Sequence, residues 1–418
     1  MNKLHHYQLP NGLNIHIKRD HRAPVILSQI WYRIGSSFEP EGITGISHML
    51  EHMMFKGTDD FKVNEIEKLV EAHGGEQNAF TSYDFTCYYQ FWHKNHFHKS
   101  LEIESSRMHK LSFDEDLFVK ERRVVIEERN MRTENNPIGY AYEQFMALCY
   151  TRSGRHHPII GWRQDIEQYR LDELKAWYNQ FYSPNNAHLV VIGDIKPDAA
   201  YHDIEHYFSN IAATALPLKK QRSEISSTGQ RRLTLKHDNA QVPILMMGFL
   251  CPSLTSEIDS QDAYALMVLS SILGAASFSR LQKKLQRAYQ LASSVHSSYD
   301  PFVLNQEIFS LILLPHEGIS LDRLEREVLT AIEDIRHGIT DLELEMIKMS
   351  LKADKVYTLD SLESQGYLIG SLLSIGLDAD YYRYLDKIET VTKADIYAVI
   401  DKYLHEDNLS ILHLLPNQ

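Results

Sequence analysis

Apolar and polar residues alternate along LNIHIK at residues 13–18, the two-residue period of a half-buried strand. The residues from Leu4 lead into that strand through Asn11-Gly12, a dipeptide suited to a tight turn, so residues 4–18 are predicted as a hairpin. The run VILSQIWYRIG at 25–35 predicts another strand, and a helix is predicted to begin near Thr44, whose hydroxyl can cap its first turn. Further helices are predicted at 63–73, 94–110, 114–133 and 171–182, and the apolar run HLVVIGDI at 188–195 predicts a buried strand.

The second half opens in a similar way, with RRLTLKH and PILMMGFLC as strands before a helix at 259–273. The segment DELKAWYNQFYSPNNAHLVVIGD from Asp172 is echoed by ADIYAVIDKYLHEDNLSILHLLP from Ala394: amphipathic helix, polar turn containing Asn, apolar strand. The expected fold is therefore α+β, two similar halves from an internal duplication, each a mostly antiparallel sheet packed with helices. The polar stretch LPLKKQRSEISSTGQ at 216–230 reads as the linker, which puts the boundary near 220 and gives domains 1–220 and 221–418.

A chain of 418 residues has room for two to four domains with real cores, and 43% hydrophobic with 24% charged residues is ordinary for a globular protein. The formal charge of −13 argues against nucleic acid or an anionic membrane as partner and favours cationic peptides. Cys87, Cys149 and Cys251 are odd in number and widely spaced, so buried free thiols are expected rather than a disulfide framework or zinc ligands. No run approaches the ~18 apolar residues of a membrane span, and the start, MNKLHHYQLPNGL, lacks the apolar core of a secretory signal. The expected location is cytoplasmic as the sequence stands, or periplasmic if a leader has been removed.

The candidate chemistry begins at 48–52, which reads His-Met-Leu-Glu-His. On a helix, His48 and His52 at i and i+4 project from one face about 6 Å apart, a spacing that suits one tetrahedral metal. Glu51 lies on the same side, where its carboxylate can reach a metal-bound water and serve as general base. This H-x-x-E-H order is the one found in inverzincin metallopeptidases. A catalytic zinc site needs a third protein ligand, and ERRVVIEERNMR from Glu121 offers Glu121 and Glu128 two turns apart on one helical face, with Val124 and Val125 as core contacts. Spacing alone leaves Glu121, Glu127 and Glu128 all open as that ligand.

The segments GITGISHMLEHMMFKGT, GGEQNAFTSYDFTCYY, ERRVVIEERNMR, HHPIIGW and YSPNNAHLVVIGD, in this order, resemble the pitrilysin (M16) family of zinc metallopeptidases. The likeness extends over nearly the whole chain and is nearest to short, two-domain bacterial subunits related to mitochondrial processing peptidase. It implies one Zn2+ per chain held by His48, His52 and Glu128, Glu51 as the catalytic base, and Glu121 steadying the site from behind the ligands. It also implies that Asn78, Ala79, Phe80 and Thr81, in a segment running on to Tyr89, form an edge strand along which a peptide adds by β-augmentation. The Asn78 amide then lies near the scissile carbonyl, or Asn78 simply serves the turn after Gly74-Gly75.

In single-chain relatives of this kind, an arginine and a tyrosine seven residues apart in the C-terminal half help bind the substrate. Here LQRAYQLAS at 285–293 has Gln286 and Ser293 at those positions. The resemblance thus implies a dimer in which a homologous, zinc-less partner supplies the pair, with a homodimer as the alternative. The expected function is a zinc-dependent endopeptidase acting on short or unfolded peptides in a closed chamber. The competing expectation is a non-catalytic assembly subunit of the same fold.

Overall fold

The computed structural model describes residues 3–217, 223–257, 260–336 and 338–417. Its strands are β1 (Leu4–Gln8), β2 (Asn14–Arg19), β3 (Val25–Tyr32), β4 (Glu76–Thr81), β5 (Thr86–His93), β6 (Ala187–Gly193), β7 (Arg231–His237), β8 (Ile244–Cys251), β9 (Ala292–Ser298), β10 (Glu307–Pro315) and β11 (Leu409–Pro416). The α-helices are α1 (Ile46–Met53), α2 (Glu65–Ala72), α3 (Phe97–His109), α4 (Glu115–Arg129), α5 (Pro137–Cys149), α6 (Arg163–Gln168), α7 (Leu171–Phe181) and α8 (Pro197–Phe208), then α9 (Gln261–Ser270), α10 (Leu321–Arg336), α11 (Asp341–Thr358), α12 (Leu362–Ser374), α13 (Tyr381–Glu389) and α14 (Lys393–Tyr403).

These elements gather into two compact units: residues 1–129, 157–221 and 358–379 in the first, residues 130–156, 222–357 and 380–418 in the second. The boundary expected near residue 220 falls at 218–222, outside the described residues. Membership does not follow chain order alone, because α5 belongs to the second unit and α12 to the first.

The first unit is built on a six-stranded sheet in the order β1-β2-β6-β3-β5-β4. β1 and β2 form the expected hairpin, Leu4 opposite Lys18; β6 runs parallel to β2 and antiparallel to β3. Alternation along the strands sends Ile15, Ile17, Ile30, Leu189 and Val191 to one face, where they share a core with Met49, Leu50 and Met53 of α1 and Trp177 and Phe181 of α7. On the other face Gln29 and Trp31 of β3 lie against Gly366 and Gly370 of α12. A Cβ at Gly370 would stand 2.0 Å from the Trp31 ring, so only glycine lets this helix lie so close.

In the second unit the sheet order is β7-β11-β8-β10-β9, with β11 parallel to β7 and antiparallel to β8. β6 and β11 thus hold equivalent places, and each follows a helix and a short 3-10 turn, Pro184–Asn186 in one case and Glu406–Asn408 in the other. The duplication expected from the two echoing segments is present as topology. Gly248 of β8 admits the Phe145 ring of α5, which covers this sheet as α12 covers the first.

Three expectations need adjustment. The helix predicted over 114–133 is α up to Arg129 and then widens into a π turn at Asn130–Glu134. That predicted over 259–273 ends as α at Ser270 before a second π turn at Ser271–Ala275. The peptide-binding segment expected to run from Asn78 to Tyr89 is a hairpin, in which only β4 is an edge strand and β5 lies inside the sheet. The three cysteines are buried free thiols, and among the described residues no helix is long and apolar enough to cross a membrane.

Gly45 precedes α1 at φ 84°, and a Cβ there would meet the Ile160 carbonyl oxygen at 2.2 Å. Left-handed backbone and the clash act together, so Gly45→Ala is expected to destabilise the protein by about 2–4 kcal/mol. Denaturant unfolding checks this: the midpoint falls with the slope unchanged. An unshifted midpoint contradicts the assigned backbone at the start of α1.

Candidate metal centre

α1 sets His48 and His52 one turn apart on one face, their ring centroids 4.7 Å from each other. The helix is held at its start by the Glu39 side chain rather than by the Thr44 hydroxyl predicted to cap it. Glu39 accepts the Gly45 N–H at 2.6 Å and the Ser47 N–H at 2.8 Å, satisfying donors that a helix start leaves open. Thr44 instead donates its hydroxyl to Asp165 at 2.6 Å, and its Oγ1 accepts the Trp162 N–H at 2.9 Å. Its side chain is spent tying α1 to the segment around α6. Burial pushes the Glu39 carboxyl up to about 8, although the Ser47 and Gly45 amides pull it down.

α4 supplies the rest. Phe118, Glu121 and Val125 are buried along one stripe, and Glu128 continues it half-buried, whereas Glu127 is exposed. Helix phase therefore sets Glu127 apart from Glu121 and Glu128, which share the stripe. Val124, expected as a core contact, is on the solvent side and 50% exposed.

One ligand atom from each of His48, His52 and Glu128 lies within 4.8 Å of the other two. Glu128 Oε2 is 3.3 Å from His52 Nε2 and 3.7 Å from His48 Nε2. A tetrahedral zinc with bonds of 2.0–2.1 Å has ligand atoms separated by about 3.3 Å, close to the two distances from Glu128. The donor set is two imidazoles and one carboxylate, the kind that leaves a fourth position for water.

Behind the ligands, His52 Nδ1 is 2.9 Å from Glu121 Oε1, and Lys56 Nζ is 2.8 Å from Glu121 Oε2. With Glu121 ionised, Nδ1 is the donor and Nε2 is turned toward Glu128, the tautomer a metal requires. Burial would raise the Glu121 carboxyl, but hydrogen bonds from His52 and Lys56 hold it below the usual range. The sequence reading passed over Lys56, which lies in the turn just past the end of α1, three residues after Met53.

Glu51 is half-buried and accepts the hydroxyl hydrogen of Thr81, the last residue of β4. β4 has β5 on one side and no strand on the other among the described residues. Of its four candidate residues, Thr81 and Ala79 face α1. Phe80 faces away, its ring 5.5 Å from Trp31 and 5.7 Å from Tyr367. Asn78 sits within the strand opposite Tyr89, not in a turn, and its Oδ1 accepts the Ala79 N–H at 2.9 Å.

A sheet-edge strand beside a His-His-Glu triangle, with the Glu51 carboxylate bonded to that strand, has the features of a metallopeptidase-like architecture. Comparison with known proteins agrees. The family described as "Insulinase (Peptidase family M16)" matches residues 14–151, and "Peptidase M16 inactive domain" matches residues 169–351. The chain is 30% identical over 417 residues to "Zinc protease PqqE" of Helicobacter pylori, covering 98% of this chain and 92% of that protein. It is 30% identical over 366 residues to "Uncharacterized zinc protease YmxG" of Bacillus subtilis, covering 86% and 85%. A crystal structure of a protease from Helicobacter pylori superimposes with a TM-score of 0.94 at 29% identity, covering both chains fully. This chain belongs to peptidase family M16, whose named relatives are zinc proteases.

The metal-free site makes a prediction about protons. Burial works against charging the His52 ring, but Glu121 and Glu128 overcome it and raise its pKa to about 9. In the metal-free protein the stability from this cation is therefore full below ~6.5 and is lost as pH rises through about 9. Zinc needs the neutral ring, so binding at pH 7 is expected to release about one proton from His52. Calorimetric titration in buffers of different ionisation enthalpy measures that number. No proton release would contradict a charged His52.

Proposed function

We propose that this chain is a zinc-dependent endopeptidase that hydrolyses short or unfolded peptides, with one zinc held by His48, His52 and Glu128 and with Glu51 as general base. The observation that carries this reading is the bond from Thr81 to Glu51, which links the last residue of the edge strand β4 to the carboxylate next to the proposed ligand His52. A peptide that pairs with β4 is extended, and its backbone passes the carboxylate. Folded proteins cannot offer such a segment, hence the substrate class.

A zinc ion in this triangle supplies a water acidified toward neutrality and a Lewis acid for the peptide carbonyl. Glu51 takes the proton of the attacking water and returns it to the leaving amine. Thr81 holds the carboxylate in place for the transfer, and Glu121, itself held by Lys56, accepts the His52 Nδ1–H so that Nε2 is the nitrogen left for a metal. The edge of β4 aligns the substrate backbone.

The match to a domain described as inactive spans 169–351. None of His48, Glu51, His52, Glu121 and Glu128 lies in that range, so it carries no argument against catalysis by the first unit. It does bear on the second unit. There Gln286 Nε2 donates to the Ser293 carbonyl at 2.8 Å, and the Ser293 hydroxyl donates to the Leu314 carbonyl at 3.3 Å. Both positions are turned to backbone contacts in place of the arginine and tyrosine expected there. Our reading is that a homologous, zinc-less partner brings that pair and that this chain is the zinc-bearing subunit.

The test is zinc content together with cleavage of a quenched-fluorescent peptide library, for wild type and Glu51→Gln, with and without a co-expressed homologue. The expected outcome is one zinc in both proteins and a loss of about 10³-fold or more in kcat/KM for Glu51→Gln. Activity should appear only with the partner. Equal activity of Glu51→Gln removes Glu51 as the base, and zinc without cleavage in any pairing favours the non-catalytic subunit. Glu121→Gln is expected to weaken zinc about 10–100-fold, read by competition with a chelator.

A further inference from the structure

Arg107 belongs to α3, outside the ligand cluster, and is 1% exposed. A buried guanidinium persists only where its N–H groups are answered, and here three elements answer them. Nε donates to the Met54 carbonyl at 3.1 Å, at the end of α1, where a helix leaves carbonyls without an internal partner. One terminal nitrogen donates to Glu104 of α3 itself at 2.7 Å, and the other donates to the Gln77 side-chain oxygen of β4 at 2.9 Å. The guanidinium carbon also stands 4.7 Å from the centre of the Phe55 ring, just past α1.

Glu104 extends the grip. The oxygen that takes Arg107 also accepts the Gln90 side-chain amide at 2.7 Å, and Gln90 of β5 is the residue opposite Gln77. The ion pair thus holds a cross-strand pair by both side chains and ties it to α1. Gln77, Ala79 and Thr81 alternate onto the face of β4 turned to α1. Thr81 is bonded to Glu51 at one end of that face and Gln77 to Arg107 at the other, about 13 Å away. A strand tied at one point can pivot about it; one tied at two points on the same face cannot.

We propose that Arg107 is a positioning residue for peptide hydrolysis: through Met54 and Gln77 it fixes the edge of β4 relative to His48 and His52, and so sets how a strand-paired peptide bond meets the metal. This rests on the peptidase reading and adds to it a residue that touches neither substrate nor metal. The place needs arginine, because a lysine ammonium lacks the planar fork that reaches α1, α3 and β4 together. A misplacement of about 1 Å at a reacting centre costs about 10²-fold in rate, so slight slack in β4 is visible in kcat.

Two variants of Gln77 test this. Gln77→Met removes the acceptor and keeps the length of the side chain, whereas Gln77→Glu keeps an acceptor for Arg107. Peptide hydrolysis is measured with the co-expressed homologue present, and hydrogen exchange over residues 76–81 on the full chain alone. Gln77→Met is expected to lower kcat about 10–100-fold with KM within about threefold of wild type and zinc content unchanged. Its exchange over 76–81 should be about tenfold faster. Gln77→Glu is expected to stay within about threefold of wild type in both measurements, and Arg107→Lys, which keeps a cation beside Glu104, to follow Gln77→Met. Equal kcat in wild type and Gln77→Met, or a loss shared by Gln77→Glu, overturns the proposal and leaves the peptidase reading standing. Unchanged exchange over 76–81 overturns the tie itself, whether or not the chain cleaves. A wild type that cleaves no peptide in any pairing overturns the peptidase reading and, with it, any role of Arg107 in the reaction; faster exchange in Gln77→Met then marks the tie as structural only.

Discussion

The structure turns on one long-range contact, the closure of α1 on α4 through His52 and Glu121. It brings two imidazoles, two carboxylates and the Lys56 ammonium into a partly buried space, where charges persist only when each is answered by another. Glu121 sits in the middle of that chain, accepting from His52 on one oxygen and from Lys56 on the other. Both helices are fixed independently of the contact. Glu39 and Asp165 hold the start of α1, while Phe118 and Val125 seat α4 in the core and Arg129 donates to the Gly161 carbonyl at 2.7 Å at its end. The cluster of His48, His52 and Glu128 thus follows from the packing of the two helices.

The two units use one topology for different ends. In each half a helix is followed by a second helix assigned to the other unit: α4 by α5 in the first half, α11 by α12 in the second. α4 spends its functional side on Glu121 and Glu128. α11 contributes no residue to that cluster. The two copies of the scaffold thus differ in the side chains they carry, not in strand order.

What the sequence made legible was local. The hairpin at 4–18, the i, i+4 histidines and the echo of α7–β6 in α14–β11 all depend on spacing within a few residues, and spacing is what a sequence displays. The third member of the cluster was harder, because Glu127 and Glu128 differ only in helix phase. The signal lay in Phe118, Glu121 and Val125, which mark the buried stripe that Glu128 continues and Glu127 leaves. The start of α1 was misread for another reason. Thr44 has the right side chain in the right place, but Asp165, far along the chain, claims its hydroxyl, and Glu39 takes over the amides. The split of the 78–89 segment into β4 and β5, and the exchange of α5 and α12, depend likewise on partners that local pattern does not name.

The claim at the centre is that folding alone assembles a zinc site of two histidines and one glutamate. X-ray absorption at the zinc edge on the purified chain tests it directly. The account predicts a four-coordinate shell at about 2.0–2.1 Å with the scattering of two imidazoles and no sulfur. It also predicts that His48→Ala removes one of those imidazoles. A sulfur shell at about 2.3 Å, or a six-oxygen shell without imidazole, would contradict it.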